Sequence, residues 1–105
     1  MKSFIFKFFI PIFVESKNIL VEGLRILNAT DLCLYFVSSE NIICRDLYID
    51  VYIDGISPDN CKNVEIYNSE IHSGDDGIVL KSTYNLNRLD YCKNIHAHDC
   101  KIKSR

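Results

Sequence analysis

Three aspartates fall where their side chains can do chemistry together. Asp54 stands thirteen residues after Asn41, and Asp76 stands thirteen after Asn63, with Asp75 immediately beside it. If the chain coils with that period, Asp54 and Asp76 lie on one face of adjacent turns, about 4.8 Å apart along the backbone. Three acids in one patch repel, so one of them is set to hold a proton while its neighbours stay ionised. That division of labour is what general acid–base hydrolysis needs. Two other readings of the same residues stay open. Asp-Gly pairs, here Asp54-Gly55 and Asp76-Gly77, are common turn residues, and a carboxylate cluster also supplies the hard oxygen ligands that calcium takes. Asp31 shares the thirteen-residue phase after Asn18; it either extends the acidic strip or starts a turn, and the turn is preferred.

The elements that would position these acids are written in an internal repeat. Asn18, Asn41, Asn63 and Asn94 each open the pattern Asn-apolar-x-apolar-x-x-apolar-x-apolar, running to Ile26, Ile49, Ile71 and Ile102; only Ser69 interrupts its apolar places. The asparagines step by 23, 22 and 31 residues, so the last interval holds one repeat plus an insertion, expected within Tyr84 to Tyr91. Alternation at period 2 means strand, and a unit this short has no room for two helices. A second short strand is expected in each repeat, at Leu32-Cys33-Leu34, Ile53 to Ile56, and Ile78-Val79-Leu80. This favours a parallel β-helix over a leucine-rich horseshoe. The repeated Asn should then stack at one corner, bonding to the turn backbone and to the Asn above and below. Small residues two places earlier, Ser16, Ser39, Cys61 and Cys92, indicate a crowded neighbouring corner.

Composition agrees with one all-β domain over residues 1–105. The chain has 48% hydrophobic and 25% charged residues, and its formal net charge of −2 gives no general positive field to hold nucleic acid or an anionic membrane. Residues 1–14 form either a covering strand or a weak signal-like segment; Lys7 interrupts the apolar run, which is too short for a membrane helix. Five cysteines without a CxxC pair read as packing residues; a Cys61–Cys92 bridge between neighbouring coils fits the spacing but is not expected to form. His96 and His98 should alternate outward, and Lys81 should be a solvated edge residue. Asn28-Ala29-Thr30 is a glycosylation sequon.

The segments Asp54-Gly55-Ile56-Ser57-Pro58-Asp59-Asn60-Cys61-Lys62-Asn63-Val64 and Gly74-Asp75-Asp76-Gly77-Ile78-Val79-Leu80-Lys81-Ser82 together resemble the core of glycoside hydrolase family 28, the polygalacturonases and related pectin hydrolases. The resemblance runs from about Ile12 to the end. It implies a right-handed parallel β-helix, the pectin lyase-like solenoid, here about four coils with an open C-terminal end. It also implies inverting hydrolysis of galacturonan linkages, with Asp75 as general acid and Asp54 and Asp76 as the pair that activates water. Inversion needs acid and base roughly 6.5–9.5 Å apart. The resemblance implies a polysaccharide substrate, no cofactor, and an extracellular or periplasmic site. Tyr52 and Ile53 stand where the family has Asn-Thr, and the family's Gly-His-Gly and Arg-x-Lys motifs do not occur in this sequence. The chain is therefore expected to be a piece of a longer member, prone to self-association through its open end. A non-catalytic carbohydrate-binding remnant and a calcium-dependent lyase are the competing functions.

Overall fold

In a computed structural model describing residues 2–5 and 11–105, the chain is all strand and turn, with no helix among the described residues. Each turn of the coil runs from a short strand through a corner into a long flat side. The turns are β2 (Ile12–Val14), β3 (Lys17–Glu22) and β4 (Leu24–Ala29); then β5 (Leu34–Val37), β6 (Glu40–Arg45) and β7 (Tyr48–Val51); then β8 (Ile56–Asp59) and β9 (Lys62–Ser73). Residues 78–81 bridge onto β8 through Ile56↔Ile78 and Asp59↔Lys81, and β10 (Lys93–Ser104) closes the next turn on β9. All strand pairs are parallel: β1 (Lys2–Ile5) lies beside β4, β4 beside β7, β3 beside β6, and both columns end on β9. This is the parallel β-helix that the repeat implied. The remainder of the opening segment, Phe6–Ile10 with Met1, lies outside the described residues.

The repeat pattern has a backbone cause. Its two consecutive non-apolar places end at Gly23, Asp46, Asn68 and Asp99, which all take positive φ, between 49° and 64°. One left-handed residue rotates the strand so that the next side chain points inward again, and Gly, Asn and Asp are the residues that adopt this conformation most easily. The ladder asparagines do the same at the neighbouring corner, with φ of 57–59°; their amides join in series, Nδ2 to Oδ1, at 3.2, 3.2 and 3.0 Å. Asn63 both donates to Asn41 and accepts from Asn94. Asn63→Ala should therefore lose two bonds and strain the left-handed turn, lowering stability by about 1–2 kcal/mol in urea denaturation; an unchanged midpoint would remove the ladder from the account of the fold.

The inward column is continuous. Ile26, Ile42, Ile49, Ile56, Ile66 and Ile71 are fully buried, as is Phe36, whose ring stacks on Phe13 with centroids 5.0 Å apart. Ser69, the exception in the pattern, is also buried, because its hydroxyl accepts from the Leu47 amide and donates to the Tyr67 carbonyl. Ser16, Ser39 and Cys61 use the same return bond, to the Val14, Val37 and Asp59 carbonyls, whereas the Cys92 sulfur is directed at the Pro58 and Lys81 carbonyls. All five cysteines are free, and Cys61 and Cys92 meet only as an amide N–H directed at a sulfur. Burial pushes the Cys33 and Cys44 thiols up to about 12, in keeping with packing residues.

Two placements differ from expectation. Two of the second strands start later than Leu32 and Ile53 suggested, at Leu34 and Ile56, because residues 31–33 and 53–55 are spent turning the corner, whereas Ile78 bridges Ile56 at the expected place. Asp31 is also out of phase. Register slips between Ile26↔Ile49 and Ala29↔Val51, leaving one additional residue in the first turn at Asn28, whose φ is 57°. Since Leu34 pairs with Ile56, Leu32 stacks against Asp54, while Asp31 lies level with Ile53 in a bend and takes no part in the acidic strip.

Candidate active site

The acids sit at the corner between the long side and the short strand, where two successive turns touch. Backbone bonds fix that contact: Asp75 N–H donates to Ile53 at 2.9 Å, Gly55 N–H to Asp76 at 3.0 Å, and Ile56 N–H to Gly77 at 2.9 Å. The glycines after each Asp are there for closeness, since neither has positive φ. A Cβ on Gly55 would lie 2.4 Å from the Gly77 carbonyl oxygen, and one on Gly74 would overlap the Tyr52 carbonyl. Gly55 and Gly74 are thus more than turn residues; they let the two carboxylate-bearing rungs approach, whereas a Cβ on Gly77 would meet Ile102 of the following rung.

Asp54, Asp75 and Asp76 each offer an oxygen within 4.8 Å of the others. Asp54 is buried, 7% exposed, while Asp75 and Asp76 are open to solvent. The two oxygens of Asp54 are held separately. Oδ1 accepts the Asp76 amide at 3.0 Å, and Oδ2 faces the Lys81 ammonium at 3.9 Å. The Asp75 and Asp76 carboxylates accept no hydrogen bond among the described residues, although the Ser73 hydroxyl donates to the Asp75 backbone carbonyl at 3.0 Å. These carboxylate oxygens lie closer together than the roughly 6.5–9.5 Å separation expected for an inverting pair.

Lys81 is not the solvated edge residue that its position suggested. Its side chain is 27% exposed, and its ammonium lies 5.3 Å from the Tyr35 ring centroid as well as beside Asp54. Tyr35 is in turn fixed by its hydroxyl, which donates to Asp59 Oδ2 at 2.5 Å; burial and then this bond push its pKa up to about 12, so it remains a donor. The fully buried Asp59 also accepts from the Thr83 amide and hydroxyl, at 3.0 and 2.6 Å. A sequence reading misses this support. One signal was available, because the 22-residue offset that stacks Asp76 on Asp54 also stacks Lys81 on Asp59.

The histidines are placed elsewhere. His98 is exposed, stacked on Tyr67, and lies between Glu65 and Asp99, whose carboxylates raise its pKa in that order. His72 is bonded to Glu70, whose pKa it lowers, and packs on Tyr48. His96 is exposed beside the Asn ladder. Among the described residues, none joins the acid cluster or forms a metal-ligand group of its own. Tyr52, in the place of the family's Asn, is 71% exposed.

The sequence profile described as Glycosyl hydrolases family 28 matches residues 8–104, nearly the whole chain. The chain belongs to that family. As a member of glycoside hydrolase family 28, it is also 35% identical over 72 residues to a curated protein named "Probable polygalacturonase" from Vitis vinifera, a match covering 64% of this chain and 15% of the relative. The chain therefore spans a small part of that relative's length. No solved structure matches it.

Proposed function

We propose that this chain carries the acid–base machinery of a polygalacturonase-like hydrolase that cleaves galacturonan linkages in pectin-type polysaccharide. The observation that supports it most is the meeting of Asp54, Asp75 and Asp76 on two touching rungs, in a chain of this family. Asp75, exposed and with its carboxyl unbonded to the described residues, protonates the glycosidic oxygen as its bond to the anomeric carbon breaks. Asp54 and Asp76 draw a proton from a water whose oxygen forms the new bond at that carbon, on the opposite face of the sugar. At the end, Asp75 has lost a proton and the pair has gained one. Separation of Asp75 from the pair to admit the water falls to the Asp75 side chain, since the Asp54 carboxylate is held by two contacts while Asp75 is held only through its backbone.

The calcium reading is weakened by Lys81, because an ammonium 3.9 Å from Asp54 Oδ2 already supplies positive charge to the buried member of the cluster. The test is incubation of the full-length gene product with polygalacturonate. Reducing ends should accumulate without an ultraviolet-absorbing unsaturated product, a chelator should have no effect, and proton NMR of early products should show the inverted anomer. Unsaturated ends that vanish with chelator would replace hydrolysis by lyase action. No turnover, with binding retained, would leave a carbohydrate-binding remnant.

A further inference from the structure

We infer that Lys81 is a positioning residue of the site, holding the Asp54 carboxylate in the orientation from which it activates water. This rests on the hydrolase reading above and adds a role outside the three acids. The geometry is specific. Asp54 has one oxygen on a rigid backbone donor, the Asp76 N–H, so the carboxylate can still swing about that bond until its second oxygen is held. Lys81 Nζ, 3.9 Å from Oδ2, supplies that second hold. A lysine is a poor positioner when its stem is free, because it has several rotatable bonds to immobilise.

Here the stem is not free. The ammonium lies against the face of Tyr35, and the ring is kept in place by its bond to Asp59, which the Thr83 amide and hydroxyl hold from the other side. Asp59 is fully buried, so the carboxylate that holds Tyr35 is itself shielded from water. The chain Thr83, Asp59, Tyr35, Lys81, Asp54 runs across rungs from an exposed loop to the reacting carboxylate. Errors near 1 Å at a reacting group cost on the order of a hundredfold in rate, so a lost hold on Asp54 should appear in turnover.

The decisive comparison is steady-state kinetics on polygalacturonate for the full-length wild type, Lys81→Met, Lys81→Gln and Lys81→Arg, with thermal midpoints. Lys81→Met keeps the apolar stem over Tyr35 and removes the charge; it should lower kcat by about 10–100-fold with KM within about twofold and an unchanged midpoint. Lys81→Gln should behave alike and serves if the Met variant does not fold. Lys81→Arg should restore most of the rate. A higher KM at unchanged kcat would make Lys81 a ligand of the substrate's carboxylate and overturn positioning, as would an unchanged kcat in both neutral variants. Either result leaves hydrolysis by the acids standing, whereas an inactive wild type removes the hydrolase reading and this role with it.

Discussion

Asp75→Asn is expected to lower turnover on polygalacturonate by about 10²–10⁴-fold, the range lost with a general acid. The variant should unfold at the wild-type midpoint, because Asp75 is exposed and its carboxylate bonds to none of the described residues. Two measurements separate an acid from a mere surface charge. On an aryl galacturonide whose leaving group needs no proton, the loss should shrink to a few-fold. On the polymer it should remain whole. Asp54→Asn should show no such difference between substrates, since water activation is needed for both. An Asp75→Asn enzyme within threefold of wild type on the polymer would sink the assignment and move the acid's role to another residue.

Gly55→Ala should damage both fold and catalysis. The added methyl would stand 2.4 Å from the Gly77 carbonyl oxygen and 2.7 Å from a methyl of Ile71, so the two rungs must part or the backbone must tilt. Overpacking of that kind costs about 1–3 kcal/mol. Gly77 accepts the Ile56 amide, and both glycines directly follow site aspartates, so the same displacement spreads the acids. A drop of about a hundredfold in kcat is expected with it. Gly23→Ala is the control. It has no heavy atom within 4 Å of the new methyl and only its φ of 64° to strain, so it should lose about 1–2 kcal/mol with kcat unchanged. If Gly55→Ala were as active as Gly23→Ala, close contact between the rungs would be irrelevant to the site.

The repeat made the coil legible because every turn reuses the same local solution. An asparagine in the left-handed conformation at one corner, a Gly, Asp or Asn at the bend, and apolar residues between them are short-range requirements, and they recur at a constant offset. That offset was enough to bring Asp54 and Asp76 together, with Asp75 as neighbour. It misled where the offset itself changed. The extra residue at Asn28 moved Asp31 out of the strip, and nothing local marks a bulge before the strands are paired.

By itself, then, the sequence determined the all-β coil, the Asn ladder and the inserted segment, and its periodicity placed Asp54 over Asp76 with Asp75 alongside. Tertiary structure alone decided how each acid is held: Asp54 buried with one oxygen on a backbone amide and the other facing Lys81, the Asp75 carboxylate without a hydrogen bond among the described residues, and Tyr35 clamped by Asp59 beneath a loop. Those contacts join residues from different turns at unequal sequence separations. Their formation depends on side-chain direction and packing across rungs, which no repeating pattern encodes.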